Sequence, residues 1–157
     1  MKLFLNMHEP VILAITGPAA LVFVIIFIVV TAFPIIFYLL SLQNTLREIS
    51  LENRKMQPEQ VWLTLIPLFG IIWQYFIVAR MADSLYLEFS KRNVQSAEQR
   101  PGYNYGIAYC ILLTASVIPM LGFLAILGAA VCWIIYWVKI SEYRNLLRQN
   151  PQNYIEI

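Results

Sequence analysis

Residue types that perform catalysis or bind metals are sparse in this 157-residue chain and do not combine into a catalytic pattern. His8 is the only histidine, and a single histidine without other ligands cannot build a metal or haem site. Thr64 and Ser116 lie in apolar segments with no histidine or lysine that could activate a nucleophile. There is no Cys-x-x-Cys pair, phosphate-binding glycine loop or His-Glu-x-x-His motif. We therefore expect a protein that is not an enzyme, with no cofactor, no metal site and no identifiable small-molecule ligand.

The charged residues point instead to contacts with another molecule. They fall in three polar segments, 43–60, 80–104 and 139–150, each with both charge signs and an apolar stripe at helical spacing. Such helices either lie on a lipid surface or form a docking platform for a protein partner or a second copy of the chain, and the sequence leaves both open. A net charge of +2 does not indicate nucleic acid. The candidate docking residues are Arg80, Asp83, Glu88, Arg92, Lys139, Glu142 and Arg144.

Long apolar segments must position these charges. Residues 11–42, 61–79 and 105–138 contain no Asp, Glu, Lys, Arg or His, and about 18 consecutive apolar residues already indicate a membrane span. Charged residues make up 13% of the chain, against about 25% in an average soluble domain. We therefore expect an all-α integral membrane helical bundle that forms a single domain in the lipid bilayer. It should have about four membrane segments, Pro/Gly-broken helical hairpins and amphipathic cytoplasmic extensions.

Proline and glycine divide this domain into elements. Residues 1–16 are predicted to form an interfacial arm and residues 17–42 the first helix, because proline fits the first turn of a helix. Residues 58–92 are predicted to form a Pro-broken segment that ends in an amphipathic extension. The last apolar segment is too long for one span, so residues 103–120 and 122–149 are predicted to be the two helices of a hairpin.

A short motif occurs twice in the chain. Residues 64–70 read Thr-Leu-Ile-Pro-Leu-Phe-Gly, and residues 116–122 read Ser-Val-Ile-Pro-Met-Leu-Gly. Proline removes a helix hydrogen bond, glycine adds backbone freedom, and the hydroxyl can satisfy a freed carbonyl group. We interpret the two copies as an internal repeat, although Ile-Pro pairs in two membrane helices can also resemble each other by chance. The predicted structural helix breaks are Pro67, Gly70, Pro119 and Gly122.

The side of the membrane depends on how residues 61–79 are arranged. Lys and Arg in short loops favour the cytoplasm, and all of them except Lys2 lie in the three polar segments. If residues 61–79 cross the membrane once, the basic segments fall on opposite faces. If they dip in and return at Pro67, all three segments are cytoplasmic and the amino terminus is outside. The charge and the repeat favour the dip, and the rarity of re-entrant helices favours the span. In both arrangements we expect a cytoplasmic carboxyl terminus beside residues 80–104.

One stretch resembles a known protein family. Residues 54–67 read Arg-Lys-Met-Gln-Pro-Glu-Gln-Val-Trp-Leu-Thr-Leu-Ile-Pro, and residues 82–92 read Ala-Asp-Ser-Leu-Tyr-Leu-Glu-Phe-Ser-Lys-Arg. This pattern is similar to a family of small multi-pass bacterial membrane proteins with an Arg-x-Met-x-Pro-x-x-Val-Trp-Leu-x-Leu-Ile-Pro signature, and the likeness covers residues 54–147. The resemblance implies the bacterial cytoplasmic (inner) membrane and four membrane helices. It brings no activity, cofactor or catalytic residue.

Two functions remain open at the level of sequence. The first is a non-enzymatic scaffold or a regulatory accessory subunit that docks a partner at its cytoplasmic face. The alternative is a small transporter or oligomeric channel, in which the broken helices expose backbone to a pathway. Such a pathway would be lined by Thr64, Gln74, Thr114 and Ser116.

Overall fold

The computed structural model describes residues 2–94, 96, 98–118 and 121–151, with the backbone alone for residues 2–18. Over these residues the protein is all α-helical and contains no strand, as predicted. A short 3-10 helix, Pro58–Leu65, precedes the second α-helix. The α-helices are α1 (Lys2–Glu48), α2 (Phe69–Lys91), α3 (Tyr103–Ala115) and α4 (Gly122–Gln149).

The first helix begins earlier than predicted. α1 is continuous from Lys2, so the predicted helix start at residue 17 was wrong. Pro10 and Pro18 each remove one backbone hydrogen bond, but the largely apolar sequence on both sides of them continues the helix. Residues 1–37 form a compact unit of their own, and the large apolar side chains that are described there are mostly exposed, Phe23 at 73%. Such a surface is typical of a helix surrounded by lipid rather than by water.

Two of the described helices are long and apolar enough to cross a membrane, judged by length and composition. They are Ala19–Glu48, which is the part of α1 whose side chains are described, and α4. α2 and α3 do not meet that standard, so two of the four predicted membrane segments have the length and composition of a span.

From Tyr38 onward the chain forms a second unit with its own core. The last turns of α1 and the residue after it supply a stripe at i, i+3 and i+4 spacing, which places these side chains on one face. The stripe is fully or almost fully buried against apolar side chains of α2 and α4. Its members are Leu39, Leu42, Leu46 and Ile49, and the facing residues include Ile77, Met81, Leu85, Tyr136, Ile140 and Leu147.

The chain between α1 and α2 folds back along α2. The Lys55 amide donates to the Ser84 hydroxyl at 2.9 Å, and the Trp73 indole donates to the Gln60 carbonyl oxygen at 2.8 Å. The second pair of hydrogen-bonded residues is closer in sequence than the first. This is the pattern of two antiparallel arms joined by a turn. The apolar first part of α2, residues 69–79, is roughly 16 Å long, about half of a 30 Å hydrocarbon core. We call this element, residues 53–91, the first hairpin.

The tip of the first hairpin is a tight turn at Leu68. This residue has φ +62° and ψ −50°, and the Phe69 amide donates to the Pro67 carbonyl oxygen at 2.7 Å. The combination is a γ-turn with positive φ, a rare and strained conformation for a residue with a side chain. Leu68 is 82% exposed, so the turn presents an apolar side chain outward.

Both motif glycines allow a close approach between backbone segments. A Cβ atom on Gly70 would clash with the carbonyl oxygen of Thr64. A Cβ atom on Gly122 would lie 2.8 Å from the carbonyl oxygen of Ser116. In each copy the glycine therefore faces the hydroxyl residue six positions earlier. Pro119 lies outside the described residues.

Candidate docking surface at the charged end

The carboxyl-terminal ends of α1, α2 and α4 meet around one side chain. Arg92, which ends α2, donates from Nη2 to the Glu48 carbonyl oxygen at 2.9 Å. Its Nη1 donates to the carbonyl oxygens of Leu147 at 2.7 Å and Asn150 at 2.9 Å. The last carbonyl groups of a helix lack intrahelical donors and carry partial negative charge. A guanidinium group at this position therefore satisfies carbonyl groups at the ends of α1 and α4 and neutralises the partial charge there.

Glu88 completes this junction from one turn earlier in α2. Its carboxylate, 0% exposed, accepts from the Ser50 amide at 3.2 Å, the Ser50 hydroxyl at 2.7 Å and Asn53 Nδ2 at 2.8 Å. It also accepts from Arg92 Nε at 2.8 Å and Nη2 at 2.6 Å. Burial raises the pKa of Glu88, but the hydrogen bonds from Ser50, Asn53 and Arg92 outweigh it and leave the pKa below its ordinary value. The group is therefore a charged, fully bonded carboxylate at neutral pH.

The predicted docking role of Glu88 and Arg92 needs correction. Their side chains are 0% and 9% exposed, and they bond to each other and to neighbouring elements. They hold the charged end together from inside and do not form its outer surface. The sequence could not show this, because a charged pair at i, i+4 spacing has the same pattern whether the helix face is exposed or buried. Ser50 and Asn53, which sequence reasoning missed, carried only the weak signal of polar residues just after a helix end.

Two other predicted residues form ion pairs nearer the surface. Asp83 pairs with Arg100 at 2.5 Å, and both side chains are nearly half exposed. Lys139 pairs with Glu98 at 2.6 Å, and the second Glu98 oxygen accepts from the Gly102 amide at 2.8 Å. Burial raises the pKa of Glu98, but the hydrogen bonds from Lys139 and Gly102 lower it by more. The pKa of Glu98 therefore lies below its ordinary value. These pairs attach the segment before α3 to α2 and α4.

The remaining predicted residues differ in their exposure. Glu142 is exposed, whereas Arg80 and Arg144 are half-buried. Nε of Arg144 is buried and has no hydrogen-bond partner in the described part of the chain. The three polar segments therefore meet at one end of the second unit, which we call the charged end, but the seven predicted residues do not all share one exposed surface.

A wide cleft of about 650 Å³ opens at the charged end. Its rim carries ion pairs from Lys91 to Glu52 at 2.8 Å and from Arg148 to Glu48 at 2.7 Å, while Leu51 on its wall is 82% exposed. Cations outnumber acids in the lining, so the cleft is electropositive. The cations are Arg47, Arg54, Lys91, Arg92 and Arg148, and the acids are Glu48 and Glu52.

The polar residues of the proposed transport pathway are already bonded within the chain. Gln74, 1% exposed, accepts from the Thr64 hydroxyl at 3.4 Å and donates to the Tyr38 hydroxyl at 2.5 Å. Thr114 and Ser116 form hydrogen bonds elsewhere in the chain. These side chains have the partners expected of packing residues, which does not favour a water-filled route along them.

The described residues hold no group of three or more His, Cys, Asp or Glu side chains that could bind a metal ion. The side chain of His8 lies outside the described set. Cys110 is buried and Cys132 is half-buried, and both are free thiols. Comparisons with protein-family models, with curated proteins and with solved structures find no match for this chain.

Proposed function

We propose that the protein is a non-enzymatic membrane scaffold or accessory subunit that presents its charged end to a protein partner. The junction of Glu88 and Arg92 carries this proposal. It joins the ends of α1, α2 and α4 and the chain that follows α1 into one packed unit. A surface assembled in advance binds a partner at a lower entropic cost than separate flexible segments do.

We base the proposed membrane arrangement on the two hairpins. α1 crosses the bilayer, the first hairpin dips in and returns, and α3 with α4 forms a second hairpin whose ends lie at the charged end. The antiparallel contacts within residues 53–91 support the dip. The turns carry exposed apolar side chains that suit lipid: Leu68 is 82% exposed, Val117 73% and Phe123 75%.

The charged end is assigned to the cytoplasmic face of a bacterial inner membrane. All Lys and Arg residues except Lys2 lie in the three polar segments that meet there, and such residues favour the cytoplasmic side. The carboxyl terminus, which follows α4, is then cytoplasmic too. The bacterial origin rests on the resemblance of residues 54–147 to the small multi-pass family.

The wide cleft is the part of the charged end that suits a partner best. Its excess of cations fits an acidic segment of a second protein, and its ion pairs at the rim can exchange partners on binding. Exposed Leu51 supplies an apolar contact within the same wall. We therefore assign docking to this cleft.

A photocrosslinking amino acid at Leu51 tests the assignment in living cells. We expect an adduct with another protein, and we expect the double charge reversal Arg47→Glu with Arg148→Glu to abolish it. The matched control reverses two acids that do not line the cleft, Asp83→Lys with Glu142→Lys, and should leave the adduct in place. The proposal is contradicted by the absence of any protein adduct, or by an adduct that both double variants affect equally.

A further inference from the structure

A second, smaller cleft of about 350 Å³ differs from the wide cleft in its charge. Its lining contains three cations and no acid, whereas the wide cleft pairs most of its cations with glutamates. A site with uncompensated positive charge selects an anion. We call it the basic cleft, and its lining residues are Leu51, Arg54, Lys55, Met56, Gln57, Gln60 and Arg80.

Arg54 is held in place in this cleft by the end of α1. Its Nη2 donates to the Ile49 carbonyl oxygen at 2.9 Å and to the Arg47 carbonyl oxygen at 3.4 Å. Its Nε is buried and has no hydrogen-bond partner in the described part of the chain. A buried donor without an acceptor is unfavourable. Arg54 also lines the wide cleft, so the two clefts share this residue.

The other two cations have no anionic partner among the described residues. The backbone brings them together: the Lys55 amide donates to the Ser84 hydroxyl at 2.9 Å, and that hydroxyl donates to the Arg80 carbonyl oxygen at 2.7 Å. Lys55 is therefore attached to α2 one turn from Arg80. The fold places three like charges around one cavity, an arrangement that a bound anion stabilises.

The basic cleft lies where the first hairpin changes from polar to apolar. Arg80 is the first charged residue after the apolar segment 61–79, and Lys55 precedes the 3-10 helix that begins at Pro58. In the membrane arrangement proposed above, on which this inference rests, that level is the layer of lipid headgroups. Leu51, 82% exposed, and buried Met56 add apolar surface to the same lining.

From these observations we infer that the basic cleft binds the phosphate group of an anionic phospholipid. Arg54, Lys55 and Arg80 contact the phosphate oxygens. A free phosphate ion would satisfy the cations but would gain nothing from the apolar lining or from the position of the cleft at the headgroup layer.

The test measures the thermal stability of the purified protein in detergent while phosphatidylglycerol, phosphatidylcholine or inorganic phosphate is titrated. We expect phosphatidylglycerol to raise the melting temperature most. The variant Lys55→Gln with Arg80→Gln should bind phosphatidylglycerol more weakly, by roughly fivefold for each cation removed. Arg54 is left unchanged because its bonds to α1 make it a structural residue as well.

The matched control removes the same charge from the wide cleft, as Arg47→Gln with Arg148→Gln, and should keep the wild-type affinity for phosphatidylglycerol. Equal loss of affinity in both double variants overturns the inference. So does an equal response to phosphatidylcholine, or a response to inorganic phosphate at the same concentration as the lipid.

Flotation with vesicles separates this inference from the proposed function. The wild-type protein is reconstituted with vesicles of phosphatidylglycerol or of phosphatidylcholine and centrifuged through a density gradient. Flotation with both lipids, together with no preference in the stability test, overturns the basic cleft alone. Failure to float with either lipid overturns the membrane arrangement and, with it, this inference.

Discussion

Replacing Glu88 by alanine removes the acceptor that joins the chain after α1 to the end of α2. In the folded protein this carboxylate is buried and accepts five hydrogen bonds from the described residues Ser50, Asn53 and Arg92. Without it, the Arg92 charge stays buried and only helix-end carbonyls compensate it. Removing one partner of a buried ion pair costs about 3–5 kcal/mol in the free energy of unfolding.

That loss should be visible as a lower melting temperature. For a chain of this size, 1 kcal/mol corresponds to about 2–4 °C, so we expect a fall of roughly 6–20 °C for Glu88→Ala. Intrinsic tryptophan fluorescence during heating in detergent is a suitable assay. Asp83→Ala is the control, because it breaks the half-exposed pair with Arg100, and such a pair contributes about 0–1 kcal/mol. A fall for Glu88→Ala no larger than that of the control would refute the structural role of the junction.

The remaining predictions concern acid stability and the turn of the first hairpin. The folded-state pKa of Glu88 lies below the unfolded value of about 4.3, so the stabilisation by its charge is present above that pH and is lost as the pH falls toward the folded-state pKa. Glu88→Gln should therefore make the melting temperature less sensitive to acid. An unchanged dependence of the melting temperature on acid pH would contradict this. Gly70→Ala should destabilise by about 1–3 kcal/mol because its Cβ meets the Thr64 carbonyl oxygen, whereas Gly128→Ala, which meets only side-chain atoms at 3.2 Å, should be neutral or stabilising in the same melts. Leu68→Gly should keep or raise the melting temperature because it relieves positive φ at an exposed position, and Leu68→Val should lower it; the reverse order would show that the γ-turn is not strained.

The helical class could be predicted from sequence because it depends on local patterns. Long apolar segments and the proline and glycine residues between them are read within a window of a few turns. The start of α1 was misjudged for a related reason: Pro18 is a good first residue for a helix, and the residues before it had to be weighed without knowledge of their surroundings. In the structure the helix is continuous from Lys2, so Pro18 does not mark its first turn.

The junction at the charged end could not be predicted, because it depends on contacts between distant residues. Ser50 and Asn53 lie 38 and 35 positions before Glu88 and reach it only because the chain reverses near Pro67. Sequence left that reversal open as one of two arrangements. Without it, Glu88 and Arg92 have the pattern of an exposed helical face, and that pattern led to their assignment as docking residues.

In the proposed arrangement the three polar segments lie on one side of the membrane. Single cysteines at Leu51, Ser90 and Gln149, all exposed positions of those segments, test it in a Cys110→Ala and Cys132→Ala background. A membrane-impermeant maleimide is applied to intact cells and then to permeabilised cells. The proposed arrangement predicts that all three sites are shielded in intact cells and react after permeabilisation. Reaction of the Leu51 site alone in intact cells would place residues 61–79 across the membrane and contradict the account.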